Sequence, residues 1–217
     1  MIMIMIKAII FDMDGVIFDS ETMYINDLIR FFKQHDIEIQ VSDCIPLIGI
    51  DSKLYYEHAY TMWNGKTDFM TFKNMLQEYF RSLDRDYKAV VRPQIYSVLE
   101  HLSKHYKIAL ASSSRLYTIN KALDQAGLRK YFSLTASGEQ FKESKPNPEI
   151  YLYTIKELNV NKDEAIIEDS SKGILAANRA GIKVLALKDD KFGLDQSQAD
   201  IIINELNDII KLIEKGA

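Results

Sequence analysis

Residues 8–20 read AIIFDMDGVIFDS. Four apolar residues run directly into Asp12, a second acid, Asp14, follows two positions later, and Gly15 permits a sharp turn. An apolar run without polar alternation is the pattern of a strand buried on both faces, as in a parallel sheet. The residues ahead of it, MIMIMIK, extend the same apolar run and are read as part of that strand. They are too few to span a bilayer, and they lack the basic leader and small-residue cleavage site of a signal peptide. The reading therefore turns on what two carboxylates do at the end of a buried strand.

The same local pattern recurs. KIALA (107–111) meets Ser112, EAIIE (164–168) meets Asp169, KVLALK (183–188) meets Asp189, and ADIIINEL (199–206) reads as one more strand. Helical periodicity lies between them, over 116–126 with Gly127 as its cap, over 148–158 behind a Pro, and over 171–180 ending at Gly181. Strand and helix alternating at this spacing predict an α/β fold, a parallel sheet with helices on both faces. Ligands of such sheets sit at the carboxyl ends of the strands, which brings Asp12, Ser112 and Asp169 to one rim. Residues 20–88 differ. They read as helices over 21–35, 52–63 and 68–82, and they hold twelve of the chain's twenty-three aromatic residues, enough for a small core of their own. The expected division is therefore a core of residues 1–19 and 89–217 with a small inserted α-helical domain over 20–88, and a Pro-started helix follows VRPQI (91–95).

Bulk properties narrow the function. The 217 residues suit one core plus a small companion, and 47% hydrophobic with 27% charged residues is the balance of a soluble globular protein. A net charge of −4 carries no basic footprint for nucleic acid, and no membrane association is expected. Cys44 is the only cysteine, which excludes an intrachain disulfide and fits a cytoplasmic setting; it is read as buried filler. His101 and His105 lack the spacing of a zinc motif and are read as helix surface.

The rim acids suit phosphoryl chemistry. A carboxylate such as Asp12 acts as a nucleophile on phosphorus, and Asp14 is placed to protonate a leaving oxygen and then activate water. A phosphoryl group repels both, so the site calls for Mg²⁺, with Glu168 and Asp169 as further oxygen donors. Lys145, in ESKPNPE, supplies a cation on the rim, where its loss is expected to cost rate but little stability. Ser112, expected at a helix start, offers a hydroxyl and free N–H groups to phosphate.

These motifs in this order (FDMDGVIFDSE, LASSSR, SKPNPEIY and IIEDSSKGILAANRAG) resemble the haloacid dehalogenase-like hydrolase superfamily, specifically its β-phosphoglucomutase-like branch. The resemblance covers essentially the whole chain. It implies a Rossmann-like core and a helical cap that closes over substrate. It implies Asp12 as nucleophile, Asp14 as acid/base, and Ser112, Ser113 and Lys145 around the phosphoryl group. It implies Mg²⁺ held by Asp12, the Asp14 backbone carbonyl, Asp169 and Glu168. Glu21, Tyr24, Gly49, Ser114 and Arg115 are the expected substrate contacts. The leading function is a phosphatase for a small phosphorylated metabolite, sugar phosphates among them, in a monomeric protein. The alternatives are a phosphohexomutase and, from another class, a phospho-receiver switch. Against the mutase, the branch pattern sets a Lys and an Arg around Gly49, where this chain has Ile48 and Ser52 with Lys53 adjacent, and it sets a His where this chain has Tyr24.

Overall fold

Residues 8–11 form the central strand of the sheet. The computed structural model describes residues 6–50, 52–161 and 165–215; the expected strand residues 1–5 and Glu164 lie outside these. The elements are β1 (Ala8–Phe11), α1 (Glu21–Gln34), a single turn α2 (Val41–Cys44), α3 (Ser52–Thr61) and α4 (Phe69–Ser82). They continue with α5 (Gln94–Leu102), β2 (Lys107–Ser112), α6 (Leu116–Ala126), β3 (Leu134–Ser137) and α7 (Glu149–Glu157). The chain then gives β4 (Ala165–Glu168), α8 (Ser171–Ala180), β5 (Lys183–Leu187), β6 (Ile201–Ile203) and α9 (Asp208–Lys215). All strand pairs are parallel, in the order β3-β2-β1-β4-β5-β6. This is the α/β, Rossmann-like arrangement.

The unbroken apolar runs follow from two cores sharing one sheet. Ile9 and Phe11 of β1, Ile108 and Leu110 of β2, and Leu185 and Leu187 of β5 face one side, against α5, α6 and α9. Ala8 and Ile10, Ala109 and Ala111, and Val184 and Ala186 face the other, against α7 and α8. The small alanines on this second face let those helices approach closely. Gly127 and Gly181 close α6 and α8 in the left-handed conformation (φ 66° and 72°), as their sequence positions predict.

Besides the single turn α2 and the last helix α9, the sequence reading omits β3. Its sequence, LTAS, is half polar and too short for a period to show, and only its pairing with β2 makes it a strand. The last strand is shorter than the predicted 199–206, and the helix α9 follows it. His101 lies exposed, 2.6 Å from Glu214, as a surface residue. No helix among the described residues is long and apolar enough to cross a membrane.

The helices between Glu21 and Ser82 enclose a third apolar cluster around Phe31, Phe32, Trp63, Phe72 and Leu76, with Cys44 buried in it. Phe72 is its hub, wholly buried with ring centroids 5.1 Å from Trp63 and 5.5 Å from Tyr60. Asp68 caps α4 by accepting from the N–H groups of Met70 and Thr71. Phe72→Ala is expected to cost about 3–5 kcal/mol, the range for emptying a buried aromatic site, read from the urea midpoint.

Candidate active site

The carboxyl end of β1 delivers Asp12, whose backbone N–H donates to Ile167 O of β4 at 2.8 Å. Asp12 is 7% exposed, and its carboxylate meets the Lys145 ammonium at 2.5 Å. The same ammonium donates to Glu168 Oε1 at 2.7 Å and to Ala111 O at 3.0 Å. The sequence reading placed Lys145 on the crevice rim, contributing little to stability. The structure buries it, and Lys145 is the counter-charge of two buried carboxylates. Burial opposes its charge, but Asp12 and Glu168 outweigh burial and hold it well above the ordinary lysine range.

Glu168 is fully buried and saturated with donors. Oε1 also accepts from the Tyr151 hydroxyl at 2.6 Å, and Oε2 accepts from the backbone N–H groups of Asp169 and Ser170 and from Ser170 Oγ. It fits because Gly173, in the first turn of α8, has no side chain; a Cβ there would stand 1.8 Å from Glu168 Oε1. Burial raises its pKa, yet Lys145 and Tyr151 more than offset this and keep it ionised.

Asp12, Glu168 and Asp169 each offer a carboxylate oxygen within 4.8 Å of the others. One ammonium cannot neutralise all three. Burial, with Glu168 and Asp14 nearby, pushes Asp12 up to about 8 despite Lys145, and burial with Glu168 and Asp12 raises Asp169 well above its ordinary value. A hard divalent cation suits this all-oxygen, over-acidic donor set. Gly15 leaves the room for it: its φ is 81°, and a Cβ would stand 1.8 Å from Asp169 Oδ2. The Arg92 guanidinium locks this turn by donating to Gly15 O at 2.8 and 3.0 Å. Gln196 donates to Asp169 O at 2.6 Å, fixing the backbone of that acid.

Asp14 is held by three hydroxyls. Ser20 Oγ (2.6 Å) and the Tyr24 phenol (2.9 Å) donate to Oδ1, and Ser114 Oγ (2.8 Å) donates to Oδ2. Burial and the Asp14 charge keep the Tyr24 phenol well above its ordinary pKa, so it remains a donor. The Arg85 guanidinium lies over the Tyr24 ring at 5.1 Å and pairs with buried Asp27 at 2.7 Å. Glu21, half-buried on α1, is pushed up to about 8 by burial and by Asp14 and Asp12.

Ser112 ends β2 rather than opening a helix, since α6 starts at Leu116 and the Leu116 N–H is taken by Glu139. Its hydroxyl oxygen instead accepts from Ser114 N at 3.0 Å, shaping the loop Ser112–Ser113–Ser114–Arg115 around a crevice of about 310 Å³. That crevice brings together Asp12, Asp14, Lys145 and Asp169 with Ser112 and Ser113. It also takes in Glu21, Tyr24, Gly49, Ser114 and Arg115, so every predicted site residue except Glu168 lines it. The first loop of the helical segment contributes Leu47, Gly49 and Ile50 to the wall and no cation among the described residues, while Ile48 packs into the helical cluster. Ser20, Arg85, Arg92, Tyr151, Ser170 and Gln196 escaped the sequence reading, because each acts through a contact that no local pattern signals.

The model of the haloacid dehalogenase-like hydrolases matches residues 9–187. The chain belongs to that family. Similar proteins include a phosphorylated carbohydrates phosphatase of Thermotoga maritima, 29% identical over 97% of this chain and 92% of its own. Hexitol phosphatase B of Escherichia coli is 27% identical over 94% of each chain. Among solved structures, β-phosphoglucomutase of Clostridium difficile superposes with a TM-score of 0.81 at 28% identity, over 98% of this chain and 97% of that one. Haloacid dehalogenase-like membership makes the chain an enzyme and sets aside the receiver-switch alternative.

Removing Lys145 strands two buried acids. Lys145→Ala is expected to cost about 3–5 kcal/mol at neutral pH. The cost shrinks as pH falls, because Glu168 owes its lowered pKa to this ammonium and loses that stabilisation on protonation. Urea denaturation of both proteins across pH checks this.

Proposed function

We propose that this chain is a Mg²⁺-dependent phosphatase that hydrolyses a small phosphorylated metabolite, sugar phosphates among them, through an aspartyl-phosphate. The observation that carries the reading is Asp12 on the crevice wall with a buried ammonium on one oxygen and Asp14 two residues beyond. The phosphatase names of the Thermotoga and Escherichia relatives support it.

In this reading an Asp12 oxygen attacks phosphorus, and the bond from phosphorus to the substrate's alcohol oxygen breaks. Asp14 gives that oxygen its proton. Water then attacks the phosphorus of the aspartyl-phosphate, Asp14 takes the proton, and Asp12 leaves as carboxylate. Lys145 and the Ser112–Ser113 loop hold the phosphoryl oxygens. Asp12, Asp169 and the Asp14 carbonyl would hold Mg²⁺, which would supply the charge neutralisation that lets an anionic nucleophile meet an anionic ester. We assign Glu168 to orienting Lys145, since its oxygens are already occupied by protein donors. Residues 20–88 act as the cap over this crevice, with 1–19 and 89–217 as the catalytic core.

A panel of phosphorylated metabolites scored for inorganic phosphate tests the reading. Turnover with Mg²⁺ is expected, lost with EDTA and reduced by about 10³-fold or more in Asp12→Asn. Turnover that survives both changes removes Asp12 and the metal from the reaction.

The likeness to β-phosphoglucomutase raises the mutase as a second reading. A mutase must grip a second phosphate while excluding water, and the first cap loop shows Leu47, Gly49 and Ile50 rather than cations. β-Glucose 1-phosphate with its bisphosphate primer is therefore expected to give little glucose 6-phosphate in a coupled assay. Efficient isomerisation with negligible phosphate release favours the mutase instead.

A further inference from the structure

Between β5 and β6, residues 188–200 hold no helix or strand, yet one acid gives them a fixed shape. The Asp189 carboxylate accepts from the backbone N–H groups of Lys191 at 2.9 Å, Phe192 at 3.0 Å and Leu194 at 2.7 Å, folding residues 189–194 into a tight loop. Burial raises its pKa, but these N–H groups more than offset that and keep it ionised. Gln196 closes the far end of the loop. It is buried, and its amide is fully used: Oε1 accepts from Asp189 N at 3.0 Å, and Nε2 donates to Leu187 O at 2.8 Å and to Asp169 O at 2.6 Å.

The tip of the loop turns the other way. Phe192 packs against the apolar cluster of the helical segment, and among the described residues it is the one member of that cluster from outside residues 20–88. Lys191 pairs with Asp19, where the chain leaves the sheet for α1. At that crossing the outgoing and returning chains bond to each other: Asp19 N donates to Val90 O at 2.7 Å, and Arg92 N donates to Ile17 O at 2.9 Å. The loop therefore holds the helical segment at its tip and the backbone of a metal acid at its base.

We propose that Phe192 and Gln196 are positioning residues on one strap, which makes the seat of Asp169 depend on whether the helical segment is docked. With the segment docked, the cluster covers Phe192 and anchors the strap, and Gln196 holds the Asp169 carbonyl. With the segment swung away, Phe192 loses its apolar cover and the strap loses its anchor. Gln196 tolerates little of that movement, because a buried carbonyl left without its donor is costly. The Lys191–Asp19 pair is half in solvent and adds little, so the apolar contact of Phe192 carries the coupling. The inference rests on reading residues 20–88 as a cap and Asp169 as a metal acid. It adds a mechanical route from one to the other, by which the metal is gripped most firmly when the crevice is covered.

Substitutions at the two ends of the strap, Phe192→Ala and Gln196→Met, alone and together, test this. Neither residue is among those lining the catalytic crevice. Hydrogen exchange is read at the Asp169 and Ser170 amides, which donate to Glu168 Oε2, and Mg²⁺ affinity is read by calorimetry with the metal alone. Phe192→Ala is expected to speed exchange at both amides and to weaken Mg²⁺ binding about fivefold, and Phe192→Leu to restore most of the affinity. In the Gln196→Met background Phe192→Ala is expected to add nothing further, because the route is already cut. Losses that multiply overturn the proposal. So does a Phe192→Ala protein whose melting temperature falls while both amides and the Mg²⁺ affinity match the wild type. A wild-type protein that binds no Mg²⁺ fails the metal reading instead, and the exchange rates then decide the strap by themselves.

Discussion

A buried lysine between two buried acids is the constraint on which the site depends. The Lys145 ammonium joins Asp12 on β1, Ala111 O on β2 and Glu168 on β4, so one side chain ties three adjacent parallel strands at their carboxyl ends. Ion pairs in such a setting rarely add much net stability, because desolvation consumes the Coulombic gain. What this one supplies is position. It fixes an Asp12 oxygen beside the crevice and keeps a cation on the crevice wall.

Around that centre each carboxylate has its own environment. Asp14 rests on three hydroxyls, one from the helical segment (Tyr24) and one from the β2–α6 loop (Ser114). Tyr24 is in turn covered by Arg85, which is anchored on Asp27. A chain of contacts thus runs from the helical core to the acid/base candidate, and a substitution at Asp27 acts on Asp14 through packing. Glu168 resembles Asp12 in burial but not in partners: five protein donors surround it, whereas Asp169 is left short of positive charge.

Much of this was legible in the sequence because parallel strands bury both faces and end on their ligands. The runs before Asp12, Ser112 and Asp169 named three strands and their rim, and glycine caps gave two helix ends within a residue. β3 was not legible, since an edge strand of four half-polar residues carries no period. The burial of Lys145 was not legible either. ESKPNPE read only as the approach to a helix, with its lysine on the crevice rim, and only the fold brings Asp12 and Glu168 to it from 133 and 23 residues away. The hydroxyl cage of Asp14 was half visible: Tyr24 and Ser114 were singled out as substrate contacts, while Ser20 was not.

The strand order carries a consequence for the order of folding. β1 lies at the centre of the sheet, yet its partners β2 and β4 begin at Lys107 and Ala165. Closing such long loops costs chain entropy before any contact repays it. As the chain is synthesised, the helices of residues 21–82 complete their aromatic cluster from nearby residues, while Ile9, Ile10 and Phe11 wait with both edges unpaired. The first motif in the sequence is therefore among the last to become a site, and its apolar strand is the segment most in need of protection from intermolecular pairing until β4 arrives.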